Sequence, residues 1–501
     1  MSEIRTGAIL NYILVALQIG IPLLLTPFIM GALEPAEYGV YMLAGTIMVR
    51  LYMSDLGRTT TTRFLSEYYG RNDDDGAAAF LGSLVMIYSI IGLCIFIIGL
   101  VVYPWLEVIF PKFTPTEMGT YRILYLMTLF NAAIMFPARS LMGVADARQK
   151  FTVPGLIAVI GSAVNALGTV TLLVLGVGSV GLIALSICTG ILALFFNLLY
   201  CFVWLNAKIC FRRRSMTICR GIFVFSFWMF LNQLINMLNA GTGNYIVAMT
   251  QGAAAAGIYT NGLQIYGHYY VLSGVLTALF LPRVVHMVTR GASPMEQTEA
   301  MVKLGRIQLM ISGCVLAIIV FFGAEFFRLW VGHIEGADAS LSFHIALCLV
   351  IPQTFALVQA LGWQISQARD VLKERVLITG FNSLLFIVVS YFVCLYWGIA
   401  AQAVWAAASI LIQLAMLNLI HYRGLGLRVG YFYRKTFQGA FVAALVLCAV
   451  CFFINLLLPG GTVSWLLIKI ALFLLCYPFI CMKLYATEQE RKLLPWSARQ
   501  R

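Results

Sequence analysis

The sequence predicts an all-α polytopic membrane protein with about fourteen transmembrane helices, arranged as two pseudo-symmetric six-helix lobes plus two C-terminal helices. Of its 501 residues, 61% are hydrophobic and only 11% are charged, whereas about a quarter of the residues in a soluble domain are charged. A membrane span needs about 20 apolar residues, and the chain contains fourteen segments of that kind. Two related stretches 218 residues apart indicate an internal repeat.

The fourteen apolar segments follow one another with short connections between them. The first six cover residues 8–30, 38–62, 80–102, 121–142, 151–175 and 180–204. The other eight cover residues 221–248, 257–281, 304–325, 343–366, 376–397, 399–421, 436–457 and 464–485. Little sequence is left for a soluble domain, which excludes extramembrane catalytic and nucleotide-binding modules. The first segment lacks a small-residue cleavage site, so we interpret it as a membrane helix rather than a signal peptide.

Basic residues are concentrated in alternate connections, for example in KICFRRRSMTICR after segment six and in QARDVLKER after segment ten. The opposite connections hold only Lys112, Arg122 and Arg328. By the positive-inside rule, this asymmetry predicts that both termini are cytoplasmic. Topology therefore accounts for the net charge of +13, and we predict no nucleic-acid partner.

The internal repeat is carried by AEYGVYML at 36–43 and AAAGIYTN at 254–261, where Gly39 and Tyr41 align with Gly257 and Tyr259. A looser similarity relates GVADARQK after segment four to SQARDVLKER after segment ten. We predict an N-terminal lobe at 1–215, a C-terminal lobe at 216–425, and two further helices with a tail at 426–501. Because six is even, the two lobes are parallel repeats, and transporters place their substrate pathway between such repeats.

Two basic positions lie deep within predicted spans, where ionisable side chains are costly and usually functional. Arg50 lies about 18 Å from the outer end of segment two, at 1.5 Å per residue. His268 in segment eight follows Arg50 by 218 residues, the offset of the internal repeat, so the two positions correspond. We therefore expect these residues to face each other. Arg50 could instead pair with Asp55 or with backbone carbonyls, and His268 could be a simple interhelical donor.

Polar side chains recur at helical spacing on segments seven and eight, which predicts that they share a face of each helix. The set comprises Asn232, Asn236 and Asn239 on segment seven and Asn261, Gln264 and His268 on segment eight. Interhelical hydrogen bonds, each contributing under about 1 kcal/mol, would explain one or two of them. A water-filled path or a hydroxyl-rich substrate explains the whole stripe better.

A group of cations lies near the predicted cytoplasmic ends of several spans, where it could attract an anionic head group. It comprises Arg58 on segment two, Arg139 on segment four, Arg283 on segment eight and Arg306 on segment nine. Ordinary flanking charge is the alternative for each of them. Asp55 and His268 are our candidates for coupling transport to an ion. We expect Lys469, and Glu325 with Arg328, to be snorkelling side chains or surface pairs near the outer face.

The stretch PLLLTPFIMGALEPAEYGVYMLAG followed by SDLGRTTTTRFLSEYYG resembles the start of Wzx-type polysaccharide and O-antigen flippases, a family in the multidrug, oligosaccharidyl-lipid and polysaccharide exporter superfamily. The resemblance implies two lobes around a cationic cavity, where Arg50 and the basic end of segment eight occupy suitable places. It implies an oligosaccharide on undecaprenyl diphosphate as substrate, moved to the outer leaflet of a bacterial inner membrane. A polysaccharide polymerase or chain-length regulator would be a possible partner.

Two other functions remain open at this point. A cation-coupled multidrug exporter of the same superfamily would need an anionic cavity, whereas acidic residues deep in the spans are nearly absent. A membrane polysaccharide polymerase or ligase would need a long exported loop with catalytic residues, and the outer loops are short. No HExxH, GxSxG or P-loop pattern is present, so we predict no cofactor, no metal and no enzymatic activity.

Overall fold

The computed structural model describes residues 2–53, 56–211, 231–232, 235, 241–369 and 371–486. Throughout these residues the chain is helical, with no β-strand. The first helices are α1 (Ser2–Ala32), α2 (Pro35–Met53), α3 (Leu56–Gly70), α4 (Asp74–Val102), α5 (Leu106–Ile109), α6 (Pro115–Ala147), α7 (Thr152–Val174), α8 (Ser179–Leu199) and α9 (residues 241–251). The others are α10 (Ala253–Thr289), α11 (Pro294–Trp330), α12 (Ala339–Val358), α13 (Ala360–Ala368), α14 (Leu372–Arg423), α15 (Val429–Thr436), α16 (Ala440–Leu457) and α17 (Val463–Ile480).

Helix is found at each of the fourteen predicted apolar segments, which confirms the all-α polytopic fold. Ten helical runs among the described residues are long and apolar enough to cross a membrane. One of these runs, 373–423, contains two predicted segments. The remaining three segments correspond to α2 with α3, to the described part of segment seven with α9, and to α10. Segment two is divided by residues 54–55, and segment seven lies largely outside the described residues.

Helix α14 is interrupted at Gly398, whose φ of 77° and ψ of −165° are not helical. Its 52 residues would reach about 78 Å if continuous, more than twice the thickness of a bilayer core. Positive φ is accessible to glycine without steric penalty. The break at Gly398 therefore turns α14 into the two predicted segments eleven and twelve, and places its first and last turns at the same end.

Several helix starts are fixed by side-chain caps that their sequences supply. The clearest is Thr114 before α6, where the Thr114 hydroxyl accepts from the Glu117 amide and the Glu117 carboxylate accepts from the Thr114 amide. This arrangement is a capping box. Asp73, Ser293, Asp338 and Thr462 cap α4, α11, α12 and α17.

The chain forms two compact units. The first comprises residues 1–257 with 334–336 and 394–396, and the second comprises 258–333, 337–393 and 397–501. In the first unit, a buried cluster joins α3, α4 and α6 around Leu65, Phe80 and Val144. In the second unit, separate buried clusters surround Phe432 on α15 and Phe473 on α17.

Helices α16 and α17 form a hairpin that packs on α11. One contact of this hairpin shows that the sequence prediction for Lys469 was wrong. Lys469 is only 3% exposed and does not snorkel. Its Nζ lies 2.8 Å from Oε2 of Glu325, and the other carboxylate oxygen, Oε1, accepts from the Gly461 amide at 2.9 Å. The partner expected for Glu325 was Arg328, which is exposed. A buried ion pair therefore holds the tip of the hairpin against α11.

Arg306 holds the other end of the same hairpin. Its predicted place in the group of cations that could attract a head group was wrong. It is 6% exposed, and its guanidinium donates to the carbonyl oxygens of Lys435, Gln438 and Tyr485. The guanidinium carbon lies 4.2 Å from the centroid of the Tyr485 ring. Arg306 is consequently a structural anchor within the second unit, and it is not among the cations available to a substrate.

Candidate functional site

Some of the predicted site residues lie among the described residues and others do not. Asp55, Asn236 and Asn239 lie outside the described residues. Arg50, Arg139 and Arg283 lie on α2, α6 and α10, and their side chains are outside the described part as well. Asn232 is helical and buried. The roles of all these residues stay predictions, and the geometry below concerns Arg58 and the residues on α10.

Helix α10 presents an accessible side, rich in polar residues, that we call the open face. It carries Thr260, Gln264, Gly267, His268 and Tyr270, with the apolar Leu263 and Val271 between them, and none of these residues is buried. At 3.6 residues per turn, these residues lie within an arc of about 160°, bordered by His268 on one side and Tyr270 on the other. Among the described residues, no atom lies within 4 Å of a Cβ built on Gly267. The centre of this face therefore has no packing partner among the described residues.

The opposite side of α10 is fixed against α12. The Tyr269 hydroxyl lies 2.6 Å from the Thr354 hydroxyl, and the Tyr266 hydroxyl donates to Oε1 of Gln353 at 3.1 Å. A Cβ on Gly262 would come within 2.6 Å of the Ile345 side chain, so only glycine allows this approach. These contacts set the rotation of α10 and thereby the direction of its open face.

The three polar residues that the sequence placed on one side of α10 differ in their surroundings. Asn261 is fully buried at the border between the open face and the packed side. Gln264 and His268 are only partly buried. Nε2 of His268 is shielded and has no hydrogen-bond partner in the part of the chain that the structure describes. Gln264 and His268 are consequently the members of this set that can meet a ligand on the open face.

Helix α9 contributes a buried amide that the sequence reasoning missed. Asn244 is fully buried, and neither Oδ1 nor Nδ2 has a partner in the described residues. The next residue, Tyr245, donates its hydroxyl to the Leu43 carbonyl on α2 at 2.9 Å. Asn244 follows Asn239 by five residues, which places it about 140° around the helix from that position, so the predicted stripe did not include it.

Arg58 on α3 is engaged by a carboxylate of the neighbouring helix α6. Its Nε lies 2.5 Å from Oδ2 of Asp146, and its Nη2 lies 3.0 Å from Oδ1. A Cβ on Gly143 would lie 2.6 Å from the Arg58 carbonyl oxygen, so the two helices touch here. The Arg58 side chain remains 45% exposed. The bidentate pair orients its guanidinium while leaving part of it accessible.

A second arginine, Arg375 on α14, was counted in the sequence only as flanking charge. Its guanidinium carbon lies 3.9 Å from the centroid of the Trp363 ring on α13. It also interacts electrostatically with Tyr270, at the edge of the open face. The pairing joins residues from α10, α13 and α14, which no local pattern in QARDVLKER could show.

No protein-family model matches the chain, and no curated protein matches it by sequence. Its fold does match solved structures. The lipid II flippase MurJ in an inward closed conformation is 15% identical, covers 96% of this chain and 98% of its own, and has a TM-score of 0.72. An inward-facing multidrug resistance MATE family transporter of the MOP superfamily is 18% identical and covers 84% and 95%, with a TM-score of 0.59.

A third solved structure with this fold is a MOP superfamily transporter from Pyrococcus furiosus described as having a binding pocket of reverse polarity. It is 16% identical and covers 86% of this chain and 96% of its own, with a TM-score of 0.59. These three neighbours are transport proteins that share the chain's architecture. The chain is therefore a multi-pass membrane protein with the fold of MOP superfamily transporters.

Proposed function

We propose that this protein is a flippase that moves an undecaprenyl-diphosphate-linked oligosaccharide from the cytoplasmic to the outer leaflet of a bacterial inner membrane, for synthesis of O-antigen, capsule or exopolysaccharide. One observation carries the proposal: four polar side chains lie along the accessible side of α10. Thr260, Gln264, His268 and Tyr270 would be costly against lipid tails. They suit a cavity that receives sugars and phosphate.

A lipid-facing helix of the same chain supplies the contrast. The exposed residues of α7 are Leu156, Ile160, Val164, Leu167, Val170, Thr171 and Val174, all of them apolar except Thr171. Their spacing of three or four places them on one side of the helix. The exposed side of α7 thus carries one polar residue, Thr171, whereas the accessible side of α10 carries Thr260, Gln264, His268 and Tyr270.

The charge distribution favours an anionic substrate over a cationic drug. Every Asp and Glu on the described helices lies within about two turns of a helix end. Glu325 is neutralised by Lys469, and Asp146 is paired with Arg58. His268, by contrast, lies fifteen residues inside α10. A cationic drug would find no free deep carboxylate among these residues, whereas a diphosphate would find basic and amide groups.

The lengths of the structural matches also support a lipid flippase. The MurJ match extends over 96% of the chain, whereas the MATE and Pyrococcus matches leave out 14–16%. The match to the lipid II flippase thus covers more of the chain than the match to the multidrug transporter does.

The energetics require no coupled ion. Moving each negative charge outward across an inside-negative membrane releases about 2.3 kcal/mol per 100 mV. A diphosphate could therefore be driven by the membrane potential alone. The prenyl tail can remain in lipid while the head group crosses the polar cavity.

The test uses purified protein in proteoliposomes that contain a labelled undecaprenyl diphosphate oligosaccharide. We expect lipid in the protected leaflet to become accessible to an impermeant glycosidase, and this access to be lost in Arg50→Ala. Lys112→Ala, which removes one charge from an exposed outer connection, should behave like wild type. If a folded sample gives no access with several glycans and instead exports a cationic dye, the flippase proposal is wrong and the drug exporter is right.

A further inference from the structure

The stack of Arg375 on Trp363 is built by α13 and the two ends of α14, which converge at one end of the second unit. Arg375 lies in the first turn of α14, and His421 lies near the last turn of the same helix. The break at Gly398 returns the chain to this end. Helix α13 lies against both turns: it presents Trp363 to Arg375, and its Gly362 contacts His421.

Gly362 allows this close packing because it has no side chain. A Cβ at Gly362 would lie 2.5 Å from Cε1 of His421, closer than such atoms approach. The backbone of α13 consequently rests on the His421 ring, which is 3% exposed. This contact fixes the position of the neighbouring residue, Trp363, and so positions the surface on which Arg375 stacks.

The guanidinium of Arg375 keeps most of its hydrogen-bonding capacity. Stacking on the indole uses the face of the planar group and leaves its N–H donors directed outward along the edges. Among the residues that the structure describes, no carboxylate lies within ion-pair distance of Arg375. Its electrostatic neighbours are Tyr270 and His421. A fixed cation that no described carboxylate neutralises is suited to an anionic ligand.

Tyr270 connects the stack to the open face. Tyr270 is 52% exposed and borders the open face of α10 opposite His268. Its hydroxyl can donate to an oxygen that Arg375 also holds. The nearest charged residues on the same helix, Lys373 and Glu374, are both exposed, so they do not close the site.

We propose that Arg375, braced by Trp363, and Tyr270 bind a phosphate group of a lipid, and that this phosphate belongs to the diphosphate of the transported lipid. Arginine binds phosphate through two parallel N–H donors, which this stacked orientation leaves free. The inference deepens the proposed function and depends on it. An anionic phospholipid offers the same chemistry, so the test must separate these two sources.

The experiment measures ligand binding to the full-length protein in nanodiscs of neutral phosphatidylcholine. The probes are undecaprenyl diphosphate without sugars, phosphatidylglycerol and inorganic pyrophosphate. We expect Arg375→Gln to weaken binding of undecaprenyl diphosphate at least tenfold, and Trp363→Leu to weaken it at least threefold. Lys373→Gln, two residues away on the same helix, is the matched control and should stay within twofold of wild type.

Arg375→Lys separates a positioned guanidinium from simple positive charge. Lysine retains the charge but neither stacks in the same way nor binds phosphate in a bidentate manner. We expect a loss of at least fivefold with an unchanged melting temperature. Full binding by Arg375→Lys would mean that general charge suffices and would overturn the proposed geometry.

The remaining outcomes separate this inference from the flippase proposal. If the Arg375 variants lose phosphatidylglycerol and keep undecaprenyl diphosphate, the site holds a structural phospholipid and the inference is wrong. If wild type flips the oligosaccharide lipid while Arg375→Gln binds and flips equally well, the inference fails and the function stands. If wild type neither binds undecaprenyl diphosphate nor flips its glycan, the proposed function fails.

Discussion

Gly39 on α2 and Gly257 on α10, which align in the internal repeat, are in contact with each other. A Cβ on Gly257 would lie 3.5 Å from the Cα of Gly39, and a Cβ on Gly39 would lie 1.8 Å from the Ala253 carbonyl oxygen. Ala253 and Gly257 are four residues apart, the small-residue spacing that lets membrane helices approach closely. Arg50 and His268 each follow this contact by eleven residues along their own helices.

Gly39→Ala is expected to destabilise the protein by about 1–3 kcal/mol, because the added methyl group overlaps backbone atoms that cannot rotate away. The melting temperature of the purified protein in detergent measures the effect. Gly31→Ala on α1 is the control, since a Cβ at Gly31 meets no atom within 4 Å among the described residues. Equal melting temperatures for the two variants would show that α2 and α10 do not touch at Gly39.

Lys469→Ala is expected to cost up to about 3 kcal/mol, the lower end of the range for a fully buried pair, because it leaves the Glu325 carboxylate, 12% exposed, without its cation. Replacing both residues by Met should recover much of this loss. The control is Glu107→Ala in the exposed Arg122–Glu107 pair, where the Glu107 side chain is 63% exposed and the expected cost is at most about 1 kcal/mol. Lys469→Ala is thus unsuited as a neutral control in transport assays. The sequence had suggested such a control, because it placed Lys469 near the outer face. Equal costs for the buried and exposed variants would contradict the buried pair.

Arg58→Gln is expected to lower transport at least tenfold with little change in melting temperature, because the exposed part of its guanidinium is available to the head group. Asp146→Asn should retain transport within twofold, since the carboxylate only orients Arg58. Both variants are assayed for glycan accessibility in the proteoliposomes described above. Matching losses of transport in the two variants would assign the pair a purely structural role.

Replacing His268 and Asp55 together by Asn is expected to remove any response of transport to an imposed proton gradient, because neither replacement can titrate. Transport driven by membrane potential should persist in the double variant. The measurement compares flipping rates in liposomes with imposed and with collapsed pH gradients. A gradient response that survives in the double variant would exclude these two residues as proton carriers.

Much of the fold could be predicted from the sequence because a bilayer sets the length of each span and excludes charge from it. Both constraints act on local composition, so fourteen segments could be identified without knowing their neighbours. The turn at Gly398 lies between the predicted segments eleven and twelve for the same reason. The aligned positions Gly39 and Gly257 meet where α2 and α10 make a close contact, while the internal repeat itself stays a prediction.

Partner choice was decided by the tertiary structure alone. Lys469 pairs with Glu325 across 144 residues, Arg306 bonds the Tyr485 carbonyl across 179, and Arg58 pairs with Asp146 across 88. Sequence reasoning assigned Lys469 to the surface and Arg306 to a cation ring, and it counted Arg375 as flanking charge. An isolated helix shows where a charge lies along its axis. Which neighbour neutralises that charge depends on helix rotation and packing, and these arise only when all the helices assemble.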